Sequence, residues 1–349
     1  MPELLDPDEM PAWLASFFGP AKIPTTIVAG INQDDCAIVD LKQRIVLLTL
    51  DFLNANPIAL ELGIGNLRDI GRLLVASNLS DLYGSGGRPF ALLLGITLPH
   101  GSTKAEFNML MKGVKFEASR HHVAVIGGDT KLGASRALVG VAIGAVRSRK
   151  HLFLKNGAKP GDVVWASGHL GSAAAAWGFR RKDLGPRWKS WAKKILLEPT
   201  LPAELSRKVS LGCLGRGGTD VSDGLGADLS TMCEASKVGV IIDENKIPQT
   251  RQVRLAALLG GRSPSSFAFA SGGDFQFLVT TGQTARKRMK AWGFHEIGQT
   301  TKTKRLFLRL NGGALLPLPT KGHRDFRGMT FVNEIDHISK AFTPGLPPI

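Results

Sequence analysis

Apolar residues along this chain follow two habits: short unbroken runs of strand length, and stretches where they return every three or four positions. Ile45 to Leu50 is a β-rich run ending at Asp51 and bounded by Asn54, Asn56 and Pro57, which predicts a buried strand. From Leu67 to Leu82 the residues Leu67, Ile70, Leu74, Leu79 and Leu82 fall near helical spacing. That helix carries Asn78 and Asp81 in its last turns and stops at Gly84–Ser85–Gly86–Gly87. Phe90–Leu98 predicts a second buried strand, closed by Pro99, and Lys104 to Ser119 a second helix. Val123–Ile126 predicts a strand delivering Gly127–Gly128–Asp129, and Ala137–Val146 the next. Upstream, residues 11–19 carry a short helical pattern (Trp13, Leu14, Phe17, Phe18), and Ile27–Ala29 leads to the polar turn Asn32–Asp35.

Lys155–Asp162 is rich in turn residues and is read as a domain boundary, dividing the chain into 1–154 and 155–349. Beyond it, Val163–Ala166 predicts a strand, and helices are expected over 168–177, 205–214 and 225–235. Further strands are expected at Val238–Ile242, at Phe275–Thr280 (entered through Ser271–Gly272–Gly273–Asp274), and at Leu306–Leu310. Strands interleaved with helices in both halves predict a two-domain α/β (α+β) protein. No internal repeat interrupts that order.

The 349 residues, 43% of them hydrophobic, suffice for two cores. The formal net charge of +15 favours polyanionic partners, among them nucleotides, phosphorylated metabolites, nucleic acid and anionic membrane surfaces. Three widely spaced cysteines (Cys36, Cys213, Cys233), none in a Cys-x-x-Cys, argue against a disulfide framework and a zinc knuckle, and suit a reducing compartment. The acidic, proline-broken start is unlike a secretory signal, and the apolar runs are too short to span a bilayer. A soluble, cytoplasmic protein is expected.

Acidic residues then change the picture. Thr219–Asp220–Val221–Ser222–Asp223–Gly224 places two carboxylates and a hydroxyl close together, and Asp34–Asp35, Asp51, Asp81 and Asp129 each sit where an apolar segment meets glycine or a turn. Each alone has a plain reading: a turn at Asp34–Asp35 or at Gly127–Gly128–Asp129, a helix-terminal acid at Asp81, an N-cap at Ser222 or Asp223. Asp51 resists one, because an acid at the end of an apolar strand is expensive unless it is exposed or paired. Together they are read as converging on Mg²⁺ ions that hold a polyphosphate, since hard cations take oxygen ligands and clustered carboxylates repel without a neutralising charge. There is no P-loop, no Gly-x-Gly-x-x-Gly and no Gly-x-Ser-x-Gly elbow. His121–His122 lacks a nearby third ligand and is read as a surface pair. Arg180–Lys194, with Trp177, Trp188 and Trp191 among its basic residues, could bind nucleic acid; a helix burying Trp188, Trp191 and Ile195 is the preferred reading.

Taken in order, these pieces resemble the thiamine-monophosphate kinase family of the superfamily that holds aminoimidazole ribonucleotide synthase and selenophosphate synthetase. The resemblance spans roughly 28–326. It rests on Gly30–Ala37, Thr49–Leu50–Asp51, Ser77–Leu82, Gly127–Thr130, Asn156–Asp162, Asp220–Leu225, Ser271–Asp274 and Lys321–Phe326. It implies an N-terminal mixed sheet that pairs with its twin in a homodimer to close a β-barrel, with Mg²⁺ and ATP between the domains. It also implies Mg²⁺ ligands at Asp34, Asp51, Asp81, Asp129 and Asp220 with Thr49 and Asp223 adjoining, ATP contacts at Gly128, Asp129, Lys155 (arginine in the family) and Ser222, and Asp129 and Asp220 as the catalytic carboxylates. On the acceptor side the family's histidine falls near Ile58, its Gly-Gly-Glu-Asp reads Gly272–Gly273–Asp274, and its terminal aromatic falls at His323. The nucleotide half is thus retained and the acceptor half altered.

The expected activity is transfer of the γ-phosphate of ATP to the phosphate of thiamine monophosphate or a related phosphorylated metabolite, with no membrane or nucleic-acid partner. Two rival readings are a cyclo-ligase or dehydratase of the same superfamily, which would release ADP and inorganic phosphate, and a non-catalytic nucleotide- or nucleic-acid-binding relative.

Overall fold

A computed structural model of the chain describes residues 27–29, 33–42, 44–53, 63–178, 185–198, 200–270 and 272–320. The helix expected over 11–19 and the motif Lys321–Phe326 lie outside the described residues.

The first half runs β1 (Ile27–Ala29), β2 (Ala37–Asp40), β3 (Ile45–Leu53), α1 (Leu67–Gly84), β4 (Arg88–Pro99), α2 (Lys104–Arg120), β5 (Ala124–Gly133) and β6 (Ala137–Val146). Both helices start on capping boxes. Asn66 accepts from the backbone of Arg68 and Asp69 while Asp69 bonds back to Asn66, and Thr103 and Glu106 do the same for α2. The six strands lie in the order β1-β2-β3-β6-β4-β5. Pairing is antiparallel except between β4 and β5, whose parallel register requires the crossover that α2 supplies. Strand alternation sends Ile38, Leu47, Leu92, Leu94, Ile96 and Leu138 into one core with Ile70, Leu74 and Leu79 of α1. The other face is left uncovered: Leu50, Phe52 and Phe90 are exposed on it, Phe52 at 73%. β5 is an open edge, exposed along nearly all its length, and no closed barrel forms within the described residues. The strand expected to stop at Gly127 continues through it to Gly133, because the ladder to β4 shifts register at Ile126 and then carries on through the two glycines.

The second half contains β7 (Val163–Ala166), α3 (Ser172–Gly178), α4 (Pro186–Leu197), α5 (Ala203–Leu211), β8 (Gly218–Asp220), α6 (Leu225–Ser236) and β9 (Gly239–Asp243). It continues with α7 (Arg251–Gly260), α8 (Pro264–Ala270), β10 (Phe277–Thr281), α9 (Arg286–Ala291), β11 (His295–Thr301), β12 (Leu306–Arg309) and β13 (Leu315–Pro317). Its seven strands run β13-β12-β9-β11-β7-β10-β8 and share no strand with the first sheet. β7 is apolar at every position because it is buried on both faces. Val164 and Ala166 meet Leu225, Leu229, Phe267 and Phe269, while Val163 and Trp165 meet Phe277, Met289 and Phe294. In α4, Trp188 and Ala192 are buried with Trp191 and Ile195 against them, and Arg187, Lys189 and Lys194 face water. The described part of the basic stretch is therefore an amphipathic helix.

The last turns of α1 join the halves. Ser80 Oγ donates to Asp220 Oδ2 at 2.7 Å and Ser206 Oγ donates to the Tyr83 carbonyl at 2.7 Å. Of the histidine pair expected at the surface, His122 is exposed, whereas His121 is half-buried at the end of α2, with Nδ1 2.9 Å from the Tyr83 hydroxyl and Nε2 3.4 Å from Glu117. Glu117 is itself fully buried and paired with Arg72, so an ionic network draws the ring inward.

Candidate active site: a carboxylate cluster between the two sheets

Three elements of the first half and one loop of the second deliver the acids. β3 carries Thr49 and Asp51, the turn before β2 carries Asp34 and Asp35, and α1 carries Asp81. Asp51 does not end its strand; β3 runs on to Leu53. Its amide donates to Asn78 Oδ1 at 3.2 Å, and Asn78, wholly buried, is anchored to the Leu74 carbonyl at 2.9 Å. The helix thus fixes the strand where the carboxylate leaves it. Thr49 Oγ1 donates to Asp81 Oδ2 at 2.5 Å. Asp34 accepts from the amides of Asp35 and Lys155, both at 2.9 Å, and ties the first half to the start of the second. Asp35 receives the Thr219 hydroxyl at 3.1 Å and is ion-paired with the Lys155 ammonium.

From the second half, Asp220 enters at the end of β8, buried and held by Ser80. Ser222 and Asp223 stand exposed in the turn that follows. The N-cap reading of this turn does not hold. The N-cap position is Gly224, which has no side chain to offer; Asp228, one turn inside the helix, accepts from the amides of Asp223 and Gly224 at 3.2 and 3.0 Å. Against the turn lies Gly272, where any Cβ would fall on the Ser222 carbonyl, so only glycine lets the two loops stack.

Burial together with like charge dominates the electrostatics. Burial, and then Asp35, lift the Asp34 carboxyl to about 6. Burial raises Asp51, reinforced by Asp35 and Asp223; it raises Asp81, reinforced by Asp220 and Asp51; and it raises Asp220, reinforced by Asp35. Asp228 is raised by burial and by Asp220. Lys155 is the cation set among them: burial opposes its charge, but Asp35 and Asp34 hold it well above the ordinary lysine range. One ammonium cannot balance so many carboxylates, and the donor set is all oxygen, which suits Mg²⁺. Among the described residues, no three of these acids already close around one point as an ion would gather them.

Asp129 stands apart. Strand register sets Asp51 opposite Gly140, Gly140 opposite Leu94, and Leu94 opposite Gly128. That row crosses three strand spacings, so the Asp51 and Asp129 backbones lie about 14 Å apart. Asp129 is 69% exposed and pairs with Lys131 at 2.9 Å. Gly128 beside it has no room for a Cβ against the Leu94 carbonyl. On the acceptor side, Asp274 is half-buried, and its carboxylate accepts from the amides of Gly171 and Ala173 at 2.6 and 3.0 Å, which commits it to the start of α3. Ile58 and His323 lie outside the described residues. Sequence reasoning passed over Asn78, Ser80 and Asp228 as site residues. The signal for the first two was a polar run, Ser77–Asn78 and Ser80–Asp81, inside an otherwise apolar helix.

Two α/β halves thus bring a cluster of carboxylates and one lysine together beside two stacked loops. Residues 33–146 match the AIR synthase related protein, N-terminal domain, and residues 159–311 match the AIR synthase related protein, C-terminal domain; the chain belongs to that family. It is similar to the thiamine-monophosphate kinase of Pyrococcus horikoshii, 27% identical over 269 residues, covering 76% of this chain and 82% of the relative. The Bacillus subtilis thiamine-monophosphate kinase is 28% identical over 229 residues, covering 64% of this chain and 70% of the relative. Among solved structures, AaThiL complexed with AMPPCP and TMP superposes with a TM-score of 0.77 at 21% identity, covering 92% of this chain and 99% of that one. Thiamine-monophosphate kinase from Stenotrophomonas maltophilia gives 0.68 at 27% identity, covering 84% and 93%. E. coli HypE, a hydrogenase maturation protein, gives 0.65 at 19% identity, covering 88% and 97%.

Proposed function

We propose that this chain is an ATP-dependent phosphotransferase that moves the γ-phosphate of ATP onto the phosphate of a small phosphorylated metabolite, thiamine monophosphate or a relative of it. The observation that carries the reading is the convergence of half-buried Asp51 and Asp81 with buried Asp220, from two domains, in one mutually repelling cluster with a single lysine. Its chemistry is that of a binding site for Mg²⁺ and polyphosphate. Curated relatives named thiamine-monophosphate kinase support the same activity.

Asp34, Asp51, Asp81 and Asp220, with Asp35, Thr49 and Asp223, would hold Mg²⁺, which when bound screens the charge of two approaching phosphates. Ser222, exposed beside Asp220, and Lys155 stand where they can contact the nucleotide. The acceptor's phosphate oxygen attacks the γ-phosphorus in line, a new P–O bond forms, and the bond to ADP breaks. A phosphate monoester has its second pKa near about 6 and arrives largely ionised at neutral pH, so no strong base is required of the chain. Catalysis then rests on position and charge.

The active form in this reading is a homodimer. Leu50, Phe52 and Phe90 are exposed on the uncovered sheet face, and Val125, Ile126 and Leu132 on the open edge β5, and a second copy would cover them. Such a copy would also bring the distant Asp129 beside the partner's carboxylates. The deciding experiment incubates the protein with Mg–ATP and a panel of phosphorylated metabolites, thiamine monophosphate included, and identifies products by mass. A diphosphate product with ADP is expected. ADP with inorganic phosphate and no diphosphate would replace this reading by a dehydratase or cyclo-ligase.

A further inference from the structure

The far end of the first sheet holds a cavity of about 380 Å³ lined by Lys42, Arg44, Arg147, Arg149 and Lys150, with Asp40 as its single acid. We propose that it is a second anion site, which takes the phosphate chain of a free oligophosphate independently of the carboxylate cluster. Three observations converge on it.

The first is construction. The turn joining β2 to β3 is fixed by the Leu41 amide on the Arg44 carbonyl at 2.9 Å and the Lys42 amide on Asp40 Oδ1 at 2.8 Å. Lys42 adopts a left-handed backbone, φ 66°, to close that turn. Asp40 is thereby occupied with the backbone, and its contact with Arg149 is a loose 4.0 Å. On the facing side, the single helical turn Arg149–His151 is braced by Ser148, whose hydroxyl lies 3.0 Å from His151 Nδ1. The cations thus stand on ordered backbone.

The second is repulsion. Ile45 pairs with Val146, so the next step of the register sets Arg44 alongside Arg147. Like charges facing one another across neighbouring strands are destabilising. Among the described residues, Lys42, Arg44, Arg147 and Lys150 make no ion pair. A bound anion would relieve this arrangement, and phosphate oxygens suit arginine forks.

The third is distance. Asp51 lies six positions along β3 from Ile45, about 20 Å at strand rise. The cavity therefore lies apart from the carboxylate cluster, and its size favours a short phosphate chain over the extended track a nucleic acid would follow.

Metal-free conditions separate the two sites, because without Mg²⁺ the acidic cluster repels an anion while the basic cavity attracts it. Calorimetry with sodium tripolyphosphate in EDTA on the full chain is expected to show one site per chain. Arg44→Ser with Arg147→Ser should weaken it about tenfold or more, and Lys150→Ser should weaken it separately. These exposed substitutions should leave the melting temperature and Mg–ATP turnover unchanged. Equal affinity in wild type and variants, or no binding at about 1 mM, would overturn the proposal. A short single-stranded oligonucleotide that binds through the same arginines more tightly than tripolyphosphate would overturn the choice of ligand. Because the titration needs no catalysis, it stays readable even if the kinase activity fails.

Discussion

Asp220 concentrates the tension in this site: it is buried, surrounded by other acids, and held by one hydroxyl. Asp220→Asn should therefore abolish phosphate transfer and, in metal-free buffer, raise the melting temperature, because a repelled buried charge has gone. Differential scanning fluorimetry in EDTA beside the transfer assay checks both; an unchanged rate would refute the catalytic role. Asp274 should behave in the opposite way. Its carboxylate is spent on the amides at the start of α3, so Asp274→Ala should cost about 2–3 kcal/mol of stability, the scale of orphaning donors that faced a charged acceptor. Urea denaturation measures it. The acids were legible in the sequence because an aspartate at the edge of an apolar run asks for an explanation. Their division of labour was not, since only coordinates show that Asp228, not Ser222, occupies the amides of the turn, or that Asp129 is carried away by register.

At the scale of elements, the loop before β2 and the end of β8 hold carboxyls whose folded pKa values lie above the ordinary range, Asp34 at about 6 against 3.8. The raised value means the folded state binds the proton more tightly. That contribution to stability is complete below pH 3.8 and is lost as pH rises through about 6. Metal-free protein should thus gain in melting temperature as pH falls from about 6.5 toward 4.5. The increment produced by Mg²⁺ should be larger at pH 7.5 than at pH 5.5, because protons and metal compete for the same oxygens. Thermal melts at the two pH values with and without Mg²⁺ test this, and an increment independent of pH would count against metal binding at these carboxyls. Most strands and the long helices were readable from periodicity. β11 was not, because His295-Glu296-Ile297-Gly298-Gln299 shows neither an apolar run nor clean alternation, and β9 and β7 on either side of it decide its state. β5 was cut short in the sequence reading for a related reason: Gly127–Gly128 looks like a turn until β4 pairs across it.

For the whole molecule, the uncovered sheet face sets the prediction. Phe52→Glu should convert dimer to monomer in sedimentation or light scattering and lower transfer activity with it. If Asp129 serves the neighbouring copy's carboxylates, Asp129→Asn and Asp220→Asn, each inactive alone, should recover activity when unfolded and refolded together, since a mixed dimer holds one intact site. No recovery would place both residues in the same copy's site. The two-domain plan was visible from the order of strands and helices. The open face was not, because Leu50, Phe52 and Phe90 sit in apolar runs that look like ordinary core.

The last turns of α1 have one more consequence. This helix lies under the first sheet, yet Ser80 and Tyr83 are bonded into the second half. A chain cut near residue 154 would strip two partners, Asp220 and Ser206, from one helix end, leaving each fragment with an unfinished core boundary. The halves should therefore melt as one cooperative unit, and access to the carboxylates must be governed by the turn at Ser222–Asp223 and its neighbours rather than by the halves swinging apart.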